Sequence, residues 1–192
     1  RARRMSSLSS IYDCLRRRQK GAYNPFSPSE MKRERANRLE PTPIVAPEVA
    51  AKMFAWCAQE AASGPSLNQR ADAKQSEALL RLLWSTGLRR ASVASMTRSR
   101  LVPDGDDYLA EVDGKGGRAV HVLVRGRAAE ALRAHLWELD VGRRDDVKHV
   151  FLHRRRDGGH RQMRGYDVWE IVSEVAAAVG AKGISPHSFR AA

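Results

Sequence analysis

The sequence predicts an α+β fold, mainly helical, with one small antiparallel β-sheet. Three observations carry this. Several stretches repeat apolar residues at the 3.6-residue spacing of an amphipathic helix. Two strand-like stretches flank Asp113-Gly114-Lys115-Gly116-Gly117, where three glycines in five residues allow the positive φ of a hairpin turn. Five of the eight prolines (Pro25, Pro28, Pro41, Pro43 and Pro47) crowd between an N-terminal helix and everything that follows. Proline fixes φ and removes a donor, so residues 21–46 read as an extended linker.

The elements follow in order. Residues 6–20 form a helix with Leu8, Ile11, Tyr12 and Leu15 on one face, Ser6 or Ser7 as its cap and Gly21 at its end. So short a helix is marginal alone, and its apolar face needs a partner. Pro47-Glu48 opens a second helix, with Val49, Met53, Trp56 and Cys57 on its face and Ser63-Gly64-Pro65 as its stop. A third covers 69–85 through Leu79, Leu82 and Leu83, with Gly87 as its left-handed C-terminal residue. A short helix is expected over 90–96, and strands over 108–112 and 118–124. Helix returns over 127–139 through Ala131, Leu132, His135, Leu136 and Leu139. Val150-Phe151-Leu152 reads as a short strand. Val168, Ile171, Val172, Val175 and Val179 mark another helix, ended by Gly180, and Ser185-Pro186 opens a last helix that is cut short.

The 192 residues suffice for one domain and part of another, and 42% hydrophobic content sustains a packed core. Lys and Arg number 34 against 22 Asp and Glu, a net charge of +12. Such a surplus points to a polyanion, most simply nucleic acid; charge kept for solubility is the plainer alternative. The run Lys32, Arg33, Arg35 and Arg38 suits a solvated surface and a phosphate contact equally. Cys14 and Cys57 lack metal-ligand spacing and read as reduced residues of a cytosolic protein. No apolar run approaches the roughly 20 residues that span a bilayer. No signal-peptide run follows Arg1-Ala2-Arg3-Arg4. The chain begins at Arg1 rather than Met, and a segment cut from a longer protein at both ends is expected. His149, His153 and His160 are interspersed with arginines, which repel a cation, so they read as a DNA-facing or solvated loop rather than a metal site.

Three short motifs remain, each ordinary alone. Arg89 after a helix C-terminus is a common capping residue. Lys115 on a glycine-rich tip is a common turn residue. His187 and Arg190, three apart, share a helix face. Their order is specific: Thr86-Gly87-Leu88-Arg89, then Gly114-Lys115-Gly116-Gly117, then Pro186-His187-Ser188-Phe189-Arg190. In order and spacing this resembles the catalytic domain of the tyrosine recombinases, or phage integrases, over residues 47–192. Arg4 to Asp13 with Asn24-Pro25-Phe26 is similar to the last helix of that family's N-terminal core-binding domain (residues 1–20) and its exit.

The resemblance implies site-specific DNA recombination or integration, of the kind phages and mobile elements use. Arg89 and Arg190 would donate bidentate hydrogen bonds to the scissile phosphate. Lys115 would protonate the leaving 5′ oxygen, and His187 would move a proton or hold the phosphate. A tyrosine would attack to give a 3′-phosphotyrosyl intermediate. No metal or other cofactor is implied, since the arginine pair supplies the positive charge. Partners would be double-stranded DNA, along Arg33, Arg35, Arg90, Arg118, Arg154, Arg155, Arg161 and Arg164, and further copies of the protein in a tetramer; no membrane is implied, and the location would be the cytoplasm, at the nucleoid.

Departures from the family pattern are specific. Ser92 stands where an acidic residue commonly braces the first arginine, Phe189 replaces a usual Leu, and Ala191 a frequent His. Tyr12, Tyr23, Tyr108 and Tyr166 all precede the His187 box, and none is taken as nucleophile. The chain is therefore expected to be a fragment lacking its nucleophile and inactive alone, or else a DNA-binding remnant or regulator. A type IB topoisomerase and a basic RNA-binding or scaffold protein are the remaining alternatives.

Overall fold

The computed structural model describes residues 2–18, 24, 43–114, 118–141, 148–155 and 157–190. The chain divides into two compact units, Arg1–Pro41 and Thr42–Ala192.

In the first unit, α1 covers Ala2–Arg18. It starts four residues before the expected serine cap, because alanine, arginine and methionine extend a helix readily. Leu8, Ile11 and Leu15 are 38%, 55% and 50% exposed. The buried Asn24 donates its side-chain amide to the Ser9 carbonyl (3.2 Å) and to Asp13 Oδ1 (2.8 Å), folding the chain back on the helix. Pro25, Phe26 and the basic run 32–38 lie outside the described residues.

The second unit is built around α3 (Leu67–Thr86), which packs between α2 (Pro47–Ser63) and α5 (Arg127–Val141). Pro47 stands in the first turn of α2, where its missing N–H costs no helical hydrogen bond. α3 starts two residues earlier than expected, because Ser66 caps it by accepting the Gln69 N–H (3.2 Å). Met53, Leu79, Leu80, Leu82, Leu83 and Leu132 make the center of the core. α6 (Gly165–Ala178) closes it with Val168, Val172 and Val175. Burial also pushes the Cys57 thiol up to about 12 and keeps it protonated.

α4 is shorter than expected, Arg90–Ala94. The sheet has three strands rather than two, in the order β1 (Leu101–Asp104), β2 (Asp107–Asp113), β3 (Ala119–Val124). Pro103 argues against a strand, yet β1 is an edge strand, where a missing donor is tolerated. Gly105-Asp106 makes its tight turn, Gly105 taking φ +62°.

The expected strand at 150–152 is displaced. Val150 and Phe151 are buried anchors, and β4 (Leu152–Arg154) pairs with β5 (His160–Gln162), His153 opposite Arg161. His153 and His160 therefore belong to a β-hairpin and His149 to a bridge with Thr97, not to a loop. Backbone contacts hold this region in place: the Val150 N–H donates to the Met96 carbonyl (3.0 Å) and the Leu152 N–H to the buried Gln75 side chain (2.9 Å). The expected last helix is a single 3₁₀ turn, Ser188–Arg190.

Candidate functional site

Arg89 is placed by the end of α3. Thr86 Oγ1 donates to the Leu82 carbonyl (2.5 Å), and Gly87 adopts φ +58°, its N–H closing on the Leu83 carbonyl (2.9 Å). A residue with a Cβ pays strain at that φ, so glycine suits the position. The chain reverses there and Arg89 becomes the exposed N-terminal flank of α4.

Arg190 is placed from the other end of the unit. Phe189 is buried edge-on against Trp84 of α3, ring centers 6.4 Å apart at 89°. The buried Ser188 accepts the Ser185 N–H through its hydroxyl (3.1 Å), and its carbonyl accepts the Val45 N–H (3.3 Å). With Phe189 locked inward, His187 and Arg190 on either side are exposed. A Cβ built on Gly87 would stand 4.0 Å from Arg190 Cα. The turn before Arg89 and the turn carrying Arg190, far apart in sequence, therefore lie against each other.

Lys115 is outside the described residues, as are Arg33 and Arg35. The base of the hairpin carrying Lys115 is described. The Gly114 N–H donates to the Arg118 carbonyl (2.7 Å), and the Ser92 hydroxyl donates to the Asp113 carbonyl (2.9 Å). The acid expected to brace Arg89 is thus replaced by a serine with a different contact. Arg118 is exposed at the start of the returning strand.

The remaining arginines divide. Arg154 is turned toward α3 and bound to Asp72 Oδ1 (3.0 Å) and the Asn68 carbonyl (3.2 Å). Arg161 sets its fork on Asp167, NH1 to Oδ2 at 2.6 Å and NH2 to Oδ1 at 2.8 Å. Arg155 and Arg164 are exposed beside a 360 Å³ groove shared with Ala91, Ala94 and Ser95 of the α4 region. The Arg90 side chain comes within 3.6 Å of where a Cβ on Gly165, a lining residue of that groove, would sit. Among the described residues, no ion pair engages Arg89, Arg90, Arg118, Arg155, Arg164 or Arg190.

Asp167 was not anticipated. It is buried in the first turn of α6, takes both Arg161 nitrogens and the Arg164 N–H (2.6 Å), and has His153 Nδ1 at 3.5 Å. The Arg161 hydrogen bond chiefly holds its carboxyl below the usual carboxylate range and raises Arg161 further. The available signal was an acid three residues after the residue flanking a helix start. A depressed folded-state value means stability fully present above the unfolded value and lost as pH falls through the folded one. Asp167→Asn is expected to lower stability at pH 7 by about 2 kcal/mol, the scale of a hydrogen bond to a charged group. Melting temperatures measured from pH 7 downward check this: the variant should lack the part of the acid loss that Asp167 causes. No group of three His, Cys, Asp or Glu that could hold a metal ion occurs among the described residues. No helix among them is long and apolar enough to cross a membrane.

A mixed helical and antiparallel-sheet domain with two arginine turns in contact defines a class, and comparison with known proteins agrees. Residues 59–192 match the phage integrase family, and the chain belongs to that family. It is 35% identical over 130 residues to the tyrosine recombinase XerD of Chlamydia pneumoniae, covering 64% of this chain and 39% of that protein. In fold it resembles the XerH site-specific recombinase in its pre-cleavage complex with difH substrate (TM-score 0.58, 19% identity, 78% of this chain and 41% of XerH). It also resembles the XerA recombinase (TM-score 0.56, 16% identity, 77% of this chain and 47% of XerA). The chain thus spans less than half the length of these relatives.

Proposed function

We propose that this chain carries most of the active site of a site-specific recombinase that cuts and rejoins duplex DNA through a 3′-phosphotyrosyl intermediate. The observation that carries this reading is the contact of Gly87 with Arg190, which sets two exposed arginines on adjoining turns. Two guanidinium forks there suit the non-bridging oxygens of one phosphate. A tyrosine oxygen forms a bond to phosphorus as the bond to the 5′ oxygen breaks. The phenol proton leaves to His187 or solvent, and the Lys115 ammonium gives its proton to the departing 5′ oxygen. Religation runs the same steps backward.

The nucleophile comes from outside residues 1–192 in this reading. Tyr108 is buried in β2, and Tyr166 stacks on Trp169 in α6, ring centers 5.7 Å apart. Tyr12 belongs to the separate first unit, and Tyr23 is outside the described residues. The 192-residue chain then binds DNA without cutting it. The exposed Leu8, Ile11 and Leu15 support α1 as the last helix of a larger core-binding domain, followed by a linker over 21–46 and a catalytic domain from 47 onward. A tetramer on DNA, at the nucleoid, completes the proposal.

The test is to express the complete reading frame, mix it with genomic DNA, trap complexes with detergent and sequence the covalently attached ends. Attachment at a defined site supports the reading. Binding with no covalent attachment favors a DNA-binding regulator. DNA affinity should fall steeply with salt. Arg155→Ala and Arg164→Ala should each reduce the slope of log K against log salt by about 0.9, one phosphate contact. Arg154→Ala, whose charge sits on Asp72, should leave the slope nearly unchanged. Titrations at several salt concentrations measure both.

A further inference from the structure

We propose that Val45 is a positioning residue: its backbone N–H, bonded to the Ser188 carbonyl, fixes the turn that carries Arg190 and so sets the angle at which that guanidinium meets the phosphate. This rests on the strand-transfer reading above.

Val45 lies outside every helix and strand, one residue before Ala46, the N-cap of α2. Connecting segments ordinarily run over the surface. Pro43, Ile44 and Ala46 do so, yet Val45 among them is 1% exposed and belongs to the core. An apolar residue just before an N-cap fixes the angle at which the chain enters its helix. The buried side chain thus holds the Val45 backbone in place, and its N–H donates to the Ser188 carbonyl (3.3 Å). A second contact lies beside this one. Pro43 Cγ stands 3.6 Å from where a Cβ on Gly183 would sit. Residues 43–45 therefore touch the chain that leads from α6 into the His187 box at two points.

The other backbone bonds of the box are local. The Ser188 N–H donates to the Ser185 carbonyl (2.9 Å) and the Arg190 N–H to the His187 carbonyl (3.1 Å). Among the described residues, the Val45 N–H is the backbone donor that reaches the box from a distant part of the chain. The Phe189 ring on Trp84 is a second anchor. One anchor sets the depth of the turn and leaves it free to rock about the ring. The bond at the Ser188 carbonyl stops that rocking, and Arg190 follows two residues later. A guanidinium fork on phosphate is directional. A misplacement of about 1 Å costs on the order of a hundredfold in rate. The charge that attracts DNA is unchanged by such a shift.

The experiment uses the complete reading frame and the DNA site recovered by covalent trapping. Val45 is replaced by its α-hydroxy analog, which keeps the side chain and turns the N–H into an ester oxygen. Covalent complex formation is expected to slow by about 10–100-fold, while DNA affinity changes by less than about threefold. In an Arg190→Ala background the same ester should slow the reaction by less than about threefold, because effects that pass through one residue do not add. Unchanged cleavage, equal losses in cleavage and affinity, or equal slowing in both backgrounds overturns the proposal. Hydrogen exchange in the unaltered 192-residue chain needs no variant. The Val45 amide should exchange at least about tenfold more slowly than in a short peptide of the same sequence, although it lies in no helix or strand. Exchange at the peptide rate also overturns the proposal. If the wild-type protein forms no covalent complex, the strand-transfer reading fails and the positioning role falls with it. A wild type that attaches to DNA and an ester that matches it would sink the positioning role alone.

Discussion

Alanine at Arg89 or at Arg190 is expected to remove covalent attachment to DNA while sparing most of the affinity for it. Both guanidinium groups are exposed on turns that touch through Gly87, and no described ion pair occupies either. Each would donate to the phosphate as negative charge develops on its oxygens. Removing one preorganized donor of that kind costs about 10²–10³-fold in rate. The effect on binding is smaller, since one phosphate contact among many is lost. Lysine at either position keeps the charge and loses the fork, so it should recover binding more completely than cleavage. Rates of covalent complex formation and equilibrium titrations on the same DNA separate the two. Equal losses in both would mean that the arginines only hold DNA.

Phe189→Ala should have the largest effect on stability, about 3–5 kcal/mol, the usual cost of deleting a buried aromatic ring. Phe189 is buried against Trp84, which in turn meets Phe54 edge-on at 6.5 Å. It is also the inward-facing residue between His187 and Arg190, so the cavity opens directly beneath the candidate site. Phe189→Leu, which brings back the residue usual in the family, should cost less than about 1.5 kcal/mol, because the apolar volume is largely kept. Denaturant unfolding of the three proteins measures the difference. A Phe189→Ala variant as stable as the wild type would mean that the box is not packed on α3.

The helices were legible because each carries its own periodic apolar face and its own stop, as with Gly87 after α3 and Gly180 after α6. The hairpin was legible from its glycines. β1 was not expected: its two-residue turn, Gly105-Asp106, is a hairpin signal, but Pro103 fits a strand only at a sheet edge, and the edge position is set by the fold. The β4–β5 hairpin was not readable in this way. Its strands are three residues each and are fixed by hydrogen bonds to Gln75 and Met96, residues distant in sequence. No local pattern encodes such partners.

The site divides along the same line. Motif order alone singled out Arg89, Lys115, His187 and Arg190 as a set, because residue types at set positions are a property of the chain. Only the tertiary structure shows which arginines are held in ion pairs among the described residues. Arg154 and Arg161 are as basic in sequence as Arg155 and Arg164, yet Asp72 and Asp167 engage the first two. Only the fold, likewise, turned Ser92 from a missing acid into a link between α4 and the hairpin. A side chain's charge is fixed by its covalent structure. Its availability depends on what the fold brings within about 3 Å, the reach of a hydrogen bond.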